Sequence, residues 1–243
     1  MKIVPQDKLI VALDTGNLIS AQKLVGKLGK LVSIYKVGIE LFTAVGPEIL
    51  KWLKKKEKKI FLDLKFHDIP RSVSSAILSA AGNDIFMVNI HLSGGAAMAR
   101  EAVIKVKEIS KKEGKEPPLI IGVTVLTSLL GDDLKRMGIN KDLETLVRDF
   151  AIMAEQNGLD GVVASAREAR MIKENSGREF LIVTPGIRLK EDSPGDQKRV
   201  TTPKEAIAAG ADFLVVGRPI TEAPNPCRIA QRILSEIKEG QNC

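Results

Sequence analysis

Short apolar runs alternate with stretches of helical periodicity along the whole chain. The runs that begin at Leu9 and at Ile60 have the length and composition of strands buried on both faces of a sheet. Between such runs, apolar residues recur three or four positions apart, and Val73, Ile77 and Ala80 lie on one side of a predicted helix. This alternation predicts an α/β protein in which helices connect parallel strands.

The alternation amounts to about eight strand–helix units in 243 residues, which is the number and size of a (β/α)8 TIM barrel. We expect one barrel domain over residues 1–243. A doubly wound open sheet is the alternative, but no Gly-x-Gly-x-x-Gly follows the first strand. The predicted helices include 70–81, 96–112 and 143–156. The predicted strands are 9–14, 31–38, one that begins at residue 60, 85–91, 119–125, 161–165, 180–186 and 213–218.

Polar side chains recur at or just beyond the carboxyl ends of the predicted strands. Barrel enzymes keep their active sites at that face, because the loops that follow the strands surround one mouth there. The pattern therefore favours the barrel over the open sheet and predicts an active site at its mouth. The residues that would surround the mouth are Asp14, Lys36, Asp63, Lys65, His91, Thr127, Ser165, Thr184 and Arg218.

Composition adds few constraints. Hydrophobic residues make up 44% and charged residues 28% of the chain, and no apolar run approaches the roughly 20 residues of a membrane helix. The residues before Pro5 are too few to form a signal peptide, and the two cysteines have neither metal-binding nor redox spacing. These features predict a cytoplasmic protein without a membrane segment.

The net charge of +7 could indicate a nucleic-acid partner. The lysines, however, lie mostly on predicted outer helix faces, and aromatic residues, which stack on bases, are only 4% of the chain. We therefore expect no nucleic-acid binding and only a mild attraction for a small anionic substrate.

Three charges lie close together at the end of the third predicted strand. Asp63 and Lys65 are two residues apart and should point to the same face, and Asp68 precedes Pro70, which suits the first turn of a helix. One interpretation is an ion pair plus a helix cap. The other is an active site, because desolvating so much charge is usually tolerated only for chemistry. Alternating fixed charges, with Lys36 and a lysine proton donor, would suit a reaction that passes through a carbanion.

Two loops near the end of the chain are candidates for binding phosphate. They are Pro185-Gly-Ile-Arg188, which opens a long polar loop extending to Val200, and Val216-Gly-Arg-Pro219. Barrels often bind phosphate at these positions, where glycines allow backbone N–H groups to approach and an arginine supplies a permanent charge. The alternative is that the glycines only permit turns and that the arginine pairs with a carboxylate.

Taken together, these motifs resemble the orotidine 5′-phosphate decarboxylase family, in the family's order and over essentially the whole chain. The motifs are Asp63-x-Lys65-x-x-Asp68-Ile-Pro70, Ala12-Leu-Asp14, Lys36-Val-Gly38, Leu126-Thr-Ser128, Pro185-Gly-Ile-Arg188, Asp196-Gln197 and Val216-Gly-Arg-Pro219.

The resemblance implies decarboxylation of orotidine 5′-phosphate to uridine 5′-phosphate in pyrimidine synthesis, without cofactor or metal. Lys65 would protonate C6 of the pyrimidine, and Asp68 would come from the neighbouring subunit of a homodimer. The implied catalytic residues are Lys36, Asp63, Lys65 and Asp68. The implied substrate-binding residues are Asp14, Lys36, Thr127, Pro185, Arg188, Gln197, Gly217 and Arg218.

Three other functions remain open. Metal-dependent decarboxylases, aldolases and synthases of the same barrel superfamily share Asp-x-Lys-x-x-Asp, but they have an acidic residue at the position of Lys36. The Lys36 ammonium would repel the divalent cation that those enzymes bind. A ribulose-phosphate epimerase would need histidine ligands that this chain lacks. A non-catalytic barrel would bind uridine monophosphate without turnover. His67 and His91 receive no role.

Overall fold

Eight parallel strands close into a barrel in the computed structural model, which describes residues 4–177, 179–190 and 200–242. Each strand pairs with its neighbour in the sequence, and the first also pairs with the last. The strands are β1 (Leu9–Ala12), β2 (Ile34–Gly38), β3 (Lys59–Phe66), β4 (Met87–His91), β5 (Leu119–Val123), β6 (Gly161–Val163), β7 (Leu181–Thr184) and β8 (Phe213–Val216). The predicted (β/α)8 TIM barrel is confirmed.

Helices follow the strands and cover the outside of the barrel. They are α1 (Leu18–Leu28), α2 (Ile39–Val45), α3 (Glu48–Lys55), α4 (Pro70–Ala81), α5 (Gly95–Glu113), α6 (Gly131–Arg136), α7 (Leu143–Gln156), α8 (Ala166–Asn175), α9 (Pro203–Ala208), α10 (Arg218–Thr221) and α11 (Pro226–Gln241). The bounds predicted for α4 and α7 are correct. The sequence did not predict α2, α6 and α10, which are too short to show a helical period. No described helix has the length and apolarity that crossing a bilayer requires.

The strand side chains divide into two apolar layers because successive residues point to opposite faces. One layer fills the space between the strands and the helices and contains most of the core, including Val11, Tyr35 and Leu62. The other lies inside the barrel, and it consists of Ile10, Ala12, Ile34, Phe61, Met87, Ile121, Val183, Phe213 and Val215. The inner layer closes the barrel interior below the mouth, so side chains that point inward above it face a cavity with an apolar floor.

The third strand departs from regular alternation near its end. Leu62 pairs with Val88 and Phe66 pairs with Ile90, so the register shifts between these pairs. Within the bulge Lys65 has a φ of 51°, a left-handed conformation that is uncommon for any residue with a Cβ atom. Simple strand parity, which predicted one face for Asp63 and Lys65, is therefore an incomplete account of how these side chains meet.

Several predicted strands end earlier than expected. The first was predicted to reach Asp14, but β1 ends at Ala12, and β5, β6, β7 and β8 are likewise shorter than predicted. The polar residues beyond these ends belong to the loops of the mouth. The long polar loop after Arg188 lies mostly outside the described residues, although Ile187 and Thr201 form a parallel bridge that joins its two ends.

Two glycine-to-alanine substitutions test the packing of the barrel. A Cβ atom at Gly161 would overlap the carbonyl oxygen of Leu181, whereas one at Gly26 in α1 would have nothing within 4 Å. We expect Gly161→Ala to lower the free energy of unfolding by about 1–3 kcal/mol through overpacking. Gly26→Ala should raise it by about 0.5–1 kcal/mol, because glycine weakens a helix. Urea denaturation measures both, and equal effects would contradict the described contact of β6 with β7.

Candidate active site

A cavity of about 330 Å³ opens at the carboxyl ends of the strands. Its floor belongs to the inner apolar layer, and Ala12, Phe61, Val183 and Val215 line it. Its walls come from the ends of the strands and the loops that follow them. A small molecule in this cavity would have an apolar surface below it and polar groups around it.

The polar residues of the cavity wall lie two residues further along their strands than the apolar residues of the same strands in the inner layer. Lys36 is two residues beyond Ile34 on β2, and Asn89 is two residues beyond Met87 on β4, so both point inward. Asp63 stands in the same relation to Phe61 on β3. Three neighbouring strands thus place an ammonium, a carboxylate and an amide side by side.

The carboxylate of Asp63 is the centre of this group. Its Oδ1 accepts hydrogen bonds from Lys65 Nζ at 2.7 Å and from Asn89 Nδ2 at 2.6 Å. Its Oδ2 lies 3.2 Å from Lys36 Nζ, which also donates to Asp14 Oδ1 at 3.0 Å. The four charged groups form a continuous chain of alternating sign, from Asp14 through Lys36 and Asp63 to Lys65.

Burial and charge act in opposite directions on the two most buried members of this chain. Side-chain exposure is only 10% for Asp63 and 11% for Lys36. Burial by itself raises the pKa of Asp63, but the ammonium groups of Lys36 and Lys65 outweigh it and hold that pKa below its usual value. Burial likewise lowers the pKa of Lys36, but Asp63 and Asp14 outweigh it and raise that pKa. Both groups are therefore charged near neutral pH.

The backbone at Gly38 leaves room for the outer end of this chain. A Cβ atom at Gly38 would lie 2.9 Å from Lys36 Nζ and 3.3 Å from Asp14 Oδ1. A Cβ atom at Gly217 would lie 3.4 Å from the other oxygen of Asp14. These two glycines let the Asp14 carboxylate lie close to the barrel wall.

Asp68 lies apart from the cavity of its own chain. It is exposed, and it is not among the residues that line the cavity. The interpretation of Asp68 as a helix cap is wrong, because Ile69 is the N-cap residue of α4 and makes no side-chain cap bond. The Asp68 carboxylate instead accepts a hydrogen bond from the Ile69 N–H.

The loops predicted to bind phosphate lie on the cavity wall. Pro185 and Gly186 line it after β7, and Gly217 and Arg218 line it after β8. Arg188 also lines the cavity and is buried, and its Nη1 donates to the carbonyl oxygen of Ile187 at 2.8 Å. Asp196 and Gln197, which belong to the same predicted group, lie outside the described residues.

The remaining predicted positions differ in their access to the cavity. Thr127 lines it, in the loop after β5. His91 ends β4 as predicted, and its ring centroid lies 5.6 Å from that of His67. Burial, His67 and Lys65 together lower the pKa of His91. Ser165 caps α8 through its side chain, and the side chain of Thr184 is buried.

Sequence reasoning missed Asn89. The residue lines the cavity, is buried, and contacts both Asp63 and the backbone of Lys65. A signal was present, because Asn89 is a polar residue two positions before His91 in an otherwise apolar strand and shares its inward face with Met87.

The described residues contain no group of three or more His, Cys, Asp or Glu side chains placed to hold a metal ion. At Asp63, both carboxylate oxygens already contact cationic side chains, those of Lys36 and Lys65. The site as described is therefore organised around ammonium groups.

A closed parallel barrel whose charged side chains gather around a cavity at the carboxyl ends of its strands is the arrangement of a barrel enzyme. The sequence model of the family described as "Orotidine 5'-phosphate decarboxylase / HUMPS family" matches residues 7–233. The chain belongs to this family.

Individual relatives agree with the family match. The chain is 46% identical over 234 residues to orotidine 5′-phosphate decarboxylase of Moorella thermoacetica, covering 96% of this chain and 93% of that protein. It is 47% identical over 230 residues to the Legionella pneumophila protein of the same name, covering 95% and 99%. The crystal structure of orotidine 5′-phosphate decarboxylase from Lactobacillus acidophilus matches with a TM-score of 0.83 and 37% identity, over 94% of this chain and 98% of that one.

The opposing effects on Lys36 predict how its pKa responds to a substitution. In the wild type, Asp63 and Asp14 hold the pKa of Lys36 above its usual value despite burial. In Asp63→Asn the burial remains and one carboxylate charge is lost, so we expect the pKa of Lys36 to fall. Titration of the Lys36 amine by NMR measures this shift, and Lys111, an exposed lysine on α5, serves as the internal reference. An unchanged Lys36 pKa would contradict the described ion pair.

Proposed function

We propose that this chain decarboxylates orotidine 5′-phosphate to uridine 5′-phosphate in pyrimidine synthesis, without a metal or cofactor. The observation that carries the proposal is the chain of alternating charges from Asp14 to Lys65 above an apolar cavity floor. Family membership and the names of the relatives support the choice of substrate. The proposal treats residues 1–243 as one cytoplasmic barrel domain.

The chemistry requires a positive charge beside the reacting carbon. When the bond between C6 and the carboxylate breaks, carbon dioxide leaves and the electron pair remains on C6. The Lys65 ammonium would stabilise this carbanion and then donate a proton to C6, which leaves Lys65 neutral and completes uridine 5′-phosphate. A charge that is already in place stabilises the transition state without reorganisation.

The position of Asp63 explains how the lysine would be held ready. Its carboxylate contacts the ammonium groups of both Lys65 and Lys36, so the Lys65 side chain is held beside Asp63 on the cavity wall. The substrate carboxylate would lie against Asp63, where repulsion favours its loss. Stabilisation of the carbanion by Lys65 is the main effect in this proposal, because ground-state repulsion is a contested source of catalysis.

The rest of the cavity would bind the remote parts of the substrate. Asp14 and Lys36 would hold the ribose hydroxyls, and Thr127 would contact the edge of the pyrimidine. The phosphate would lie between the loops after β7 and β8, with Pro185 and Arg188 on one side and Gly217 and Arg218 on the other, together with Gln197. Binding energy from the phosphate can then be used to assemble the site around the reacting carbon.

The metal-dependent alternative fits the described geometry less well. Divalent cations such as Mg²⁺ need oxygen ligands, and both oxygens of Asp63 are within 3.2 Å of a lysine ammonium. A cation bound at Asp63 would have to displace Lys36 and Lys65 or lie against their charges. The position of Lys36 therefore supports the metal-free reaction.

We further propose a homodimer in which Asp68 completes the site of the neighbouring subunit. Asp68 is exposed and does not line the cavity of its own chain. Beside it Ile69 is 66% exposed, and Ile39, which follows the adjacent strand β2, is 57% exposed. Two exposed isoleucines next to the mouth support burial of this edge against a second copy of the chain.

Lys65→Ala tests the proposed proton donor. Turnover of orotidine 5′-phosphate should be abolished, because the proposed proton donor to C6 is removed, while uridine 5′-phosphate should bind nearly as well as to the wild type. Steady-state kinetics and calorimetry measure the two properties. The control is Lys111→Ala, an exposed change on α5, which should keep full activity. Equal losses of binding and activity in Lys65→Ala would show that Lys65 is only a structural ion-pair partner.

Mixing two inactive variants tests the shared site. In a dimer of Asp68→Ala with Lys65→Ala, one site would combine an intact Lys65 with the partner subunit's Asp68, and the other site would have neither. Random exchange of subunits should then restore about a quarter of the wild-type activity, because half of the dimers are mixed and each has one intact site. If Asp68 acts within its own chain, the mixture should stay inactive.

A further inference from the structure

Asn89 has no role in the reaction as proposed above, yet it is held at the centre of the site. It is 1% exposed, and both ends of its side-chain amide are engaged with Asp63 and Lys65. We infer that Asn89 is a positioning residue, whose amide fixes the backbone of Lys65 and the carboxylate of Asp63 and thereby aims the Lys65 ammonium. This inference rests on the proposed role of Lys65.

The register of β3 and β4 shows why this position matters. Leu62 pairs with Val88 and Phe66 pairs with Ile90. Between these pairs β3 contains residues 63–65, whereas β4 contains only Asn89. Asn89 is therefore the one residue of β4 that lies opposite the bulge, and its side chain reaches the backbone there.

The bulge needs such a partner because of the conformation of Lys65. The φ of Lys65 is 51°, in the left-handed region that residues other than glycine rarely adopt. Its backbone N–H donates to Asn89 Oδ1 at 2.9 Å. This hydrogen bond holds the backbone in a conformation that an isolated strand would not keep, and the conformation determines where the lysine side chain begins.

The other end of the amide acts on the carboxylate. Asn89 Nδ2 donates to Asp63 Oδ1 at 2.6 Å, and Lys65 Nζ donates to the same oxygen at 2.7 Å. The contacts form a closed ring that runs from the Lys65 N–H through Asn89 and Asp63 to the Lys65 ammonium. Both the start and the end of the Lys65 side chain are thus fixed by one asparagine.

The asparagine amide meets both requirements, because its oxygen accepts one hydrogen bond while its nitrogen donates the other. Alanine would leave the Lys65 N–H without this acceptor and would remove one donor from Asp63. Aspartate would keep the acceptor but would place a second carboxylate against Asp63, where two like charges raise the pKa of the pair.

Asn89→Ala tests the inference through the separation of kcat from KM. The reacting groups should be misplaced, so we expect kcat to fall by roughly 10- to 100-fold. The KM for orotidine 5′-phosphate and the Kd for uridine 5′-phosphate should stay within about threefold, because the predicted phosphate and ribose contacts remain. Titration with uridine 5′-phosphate counts the folded sites, so that kcat refers only to them.

The matched control is Asn157→Ala. Asn157 is another buried asparagine, and it donates to the Met153 carbonyl and accepts from Arg100, away from the cavity. It should lose stability and keep kcat. If kcat per folded site is the same in both variants, Asn89 is merely structural and the inference is overturned.

Asn89→Asp provides a second test that does not depend on the size of the kcat change. The groups that face Asp63 are Lys36 from β2, Lys65 from β3 and His91 from β4, with Asp14 acting through Lys36. These stay unchanged, so the added carboxylate is the only new charge. Because Asp63 must be ionised and its pKa would rise, activity should be lost at a higher pH than in the wild type as the pH falls. An acid limb at the wild-type pH would contradict the inference.

The proposed function and the role of Asn89 can fail separately. Failure of the wild type to release carbon dioxide from orotidine 5′-phosphate would overturn the proposed function, and the role of Asn89 in it. An active wild type whose Asn89→Ala variant keeps its kcat would leave the proposed function intact and overturn only the inference about Asn89.

Discussion

The burial of the Asp63 carboxylate determines which charged and polar groups must lie around it in the site. Burying an ionised carboxylate costs roughly several kcal/mol of solvation free energy, which its contacts with neighbouring groups must offset. Here the neighbours are two ammonium groups and one amide. Lys36, which is also buried, depends in turn on Asp14. Removing any member leaves a neighbour without one of its partners, so the alternating order of charges is a physical requirement of burying them together.

The barrel supplies these neighbours from successive strands. Lys36, Asp63 and Asn89 occupy the inward positions just above the apolar inner layer of β2, β3 and β4. Low-polarity surroundings strengthen the field that the fixed charges exert on a bound molecule. The burial that makes these charges costly in solvation free energy would also strengthen their electrostatic stabilisation of a developing carbanion. The bulge in β3 interrupts the regular pairing with β4 at the residues that β3 contributes to the site.

The parts of this structure that depend on local pattern were predictable from the sequence. Alternation of apolar runs and helical periods predicted the order of elements and the barrel, and α4 and α7 were predicted to the residue. The bulge was not predictable, because it depends on how β3 pairs with β4, and no glycine marks it. For the same reason strand parity was only a partial account of Lys65, and the importance of Asn89 emerged only from the contact between strands. Asp68 precedes a proline and was a plausible cap, but α4 begins without a side-chain cap.

Incubating the wild-type protein with orotidine 5′-phosphate in excess EDTA, and following the release of carbon dioxide, tests whether the site decarboxylates this substrate without a metal. If the proposed mechanism holds, carbon dioxide is released at an enzymatic rate that the chelator does not change, because Lys65 and Lys36 would then stabilise the carbanion without a metal. Absence of release, combined with magnesium-dependent activity on a sugar phosphate, would contradict the account and the roles assigned to both lysines.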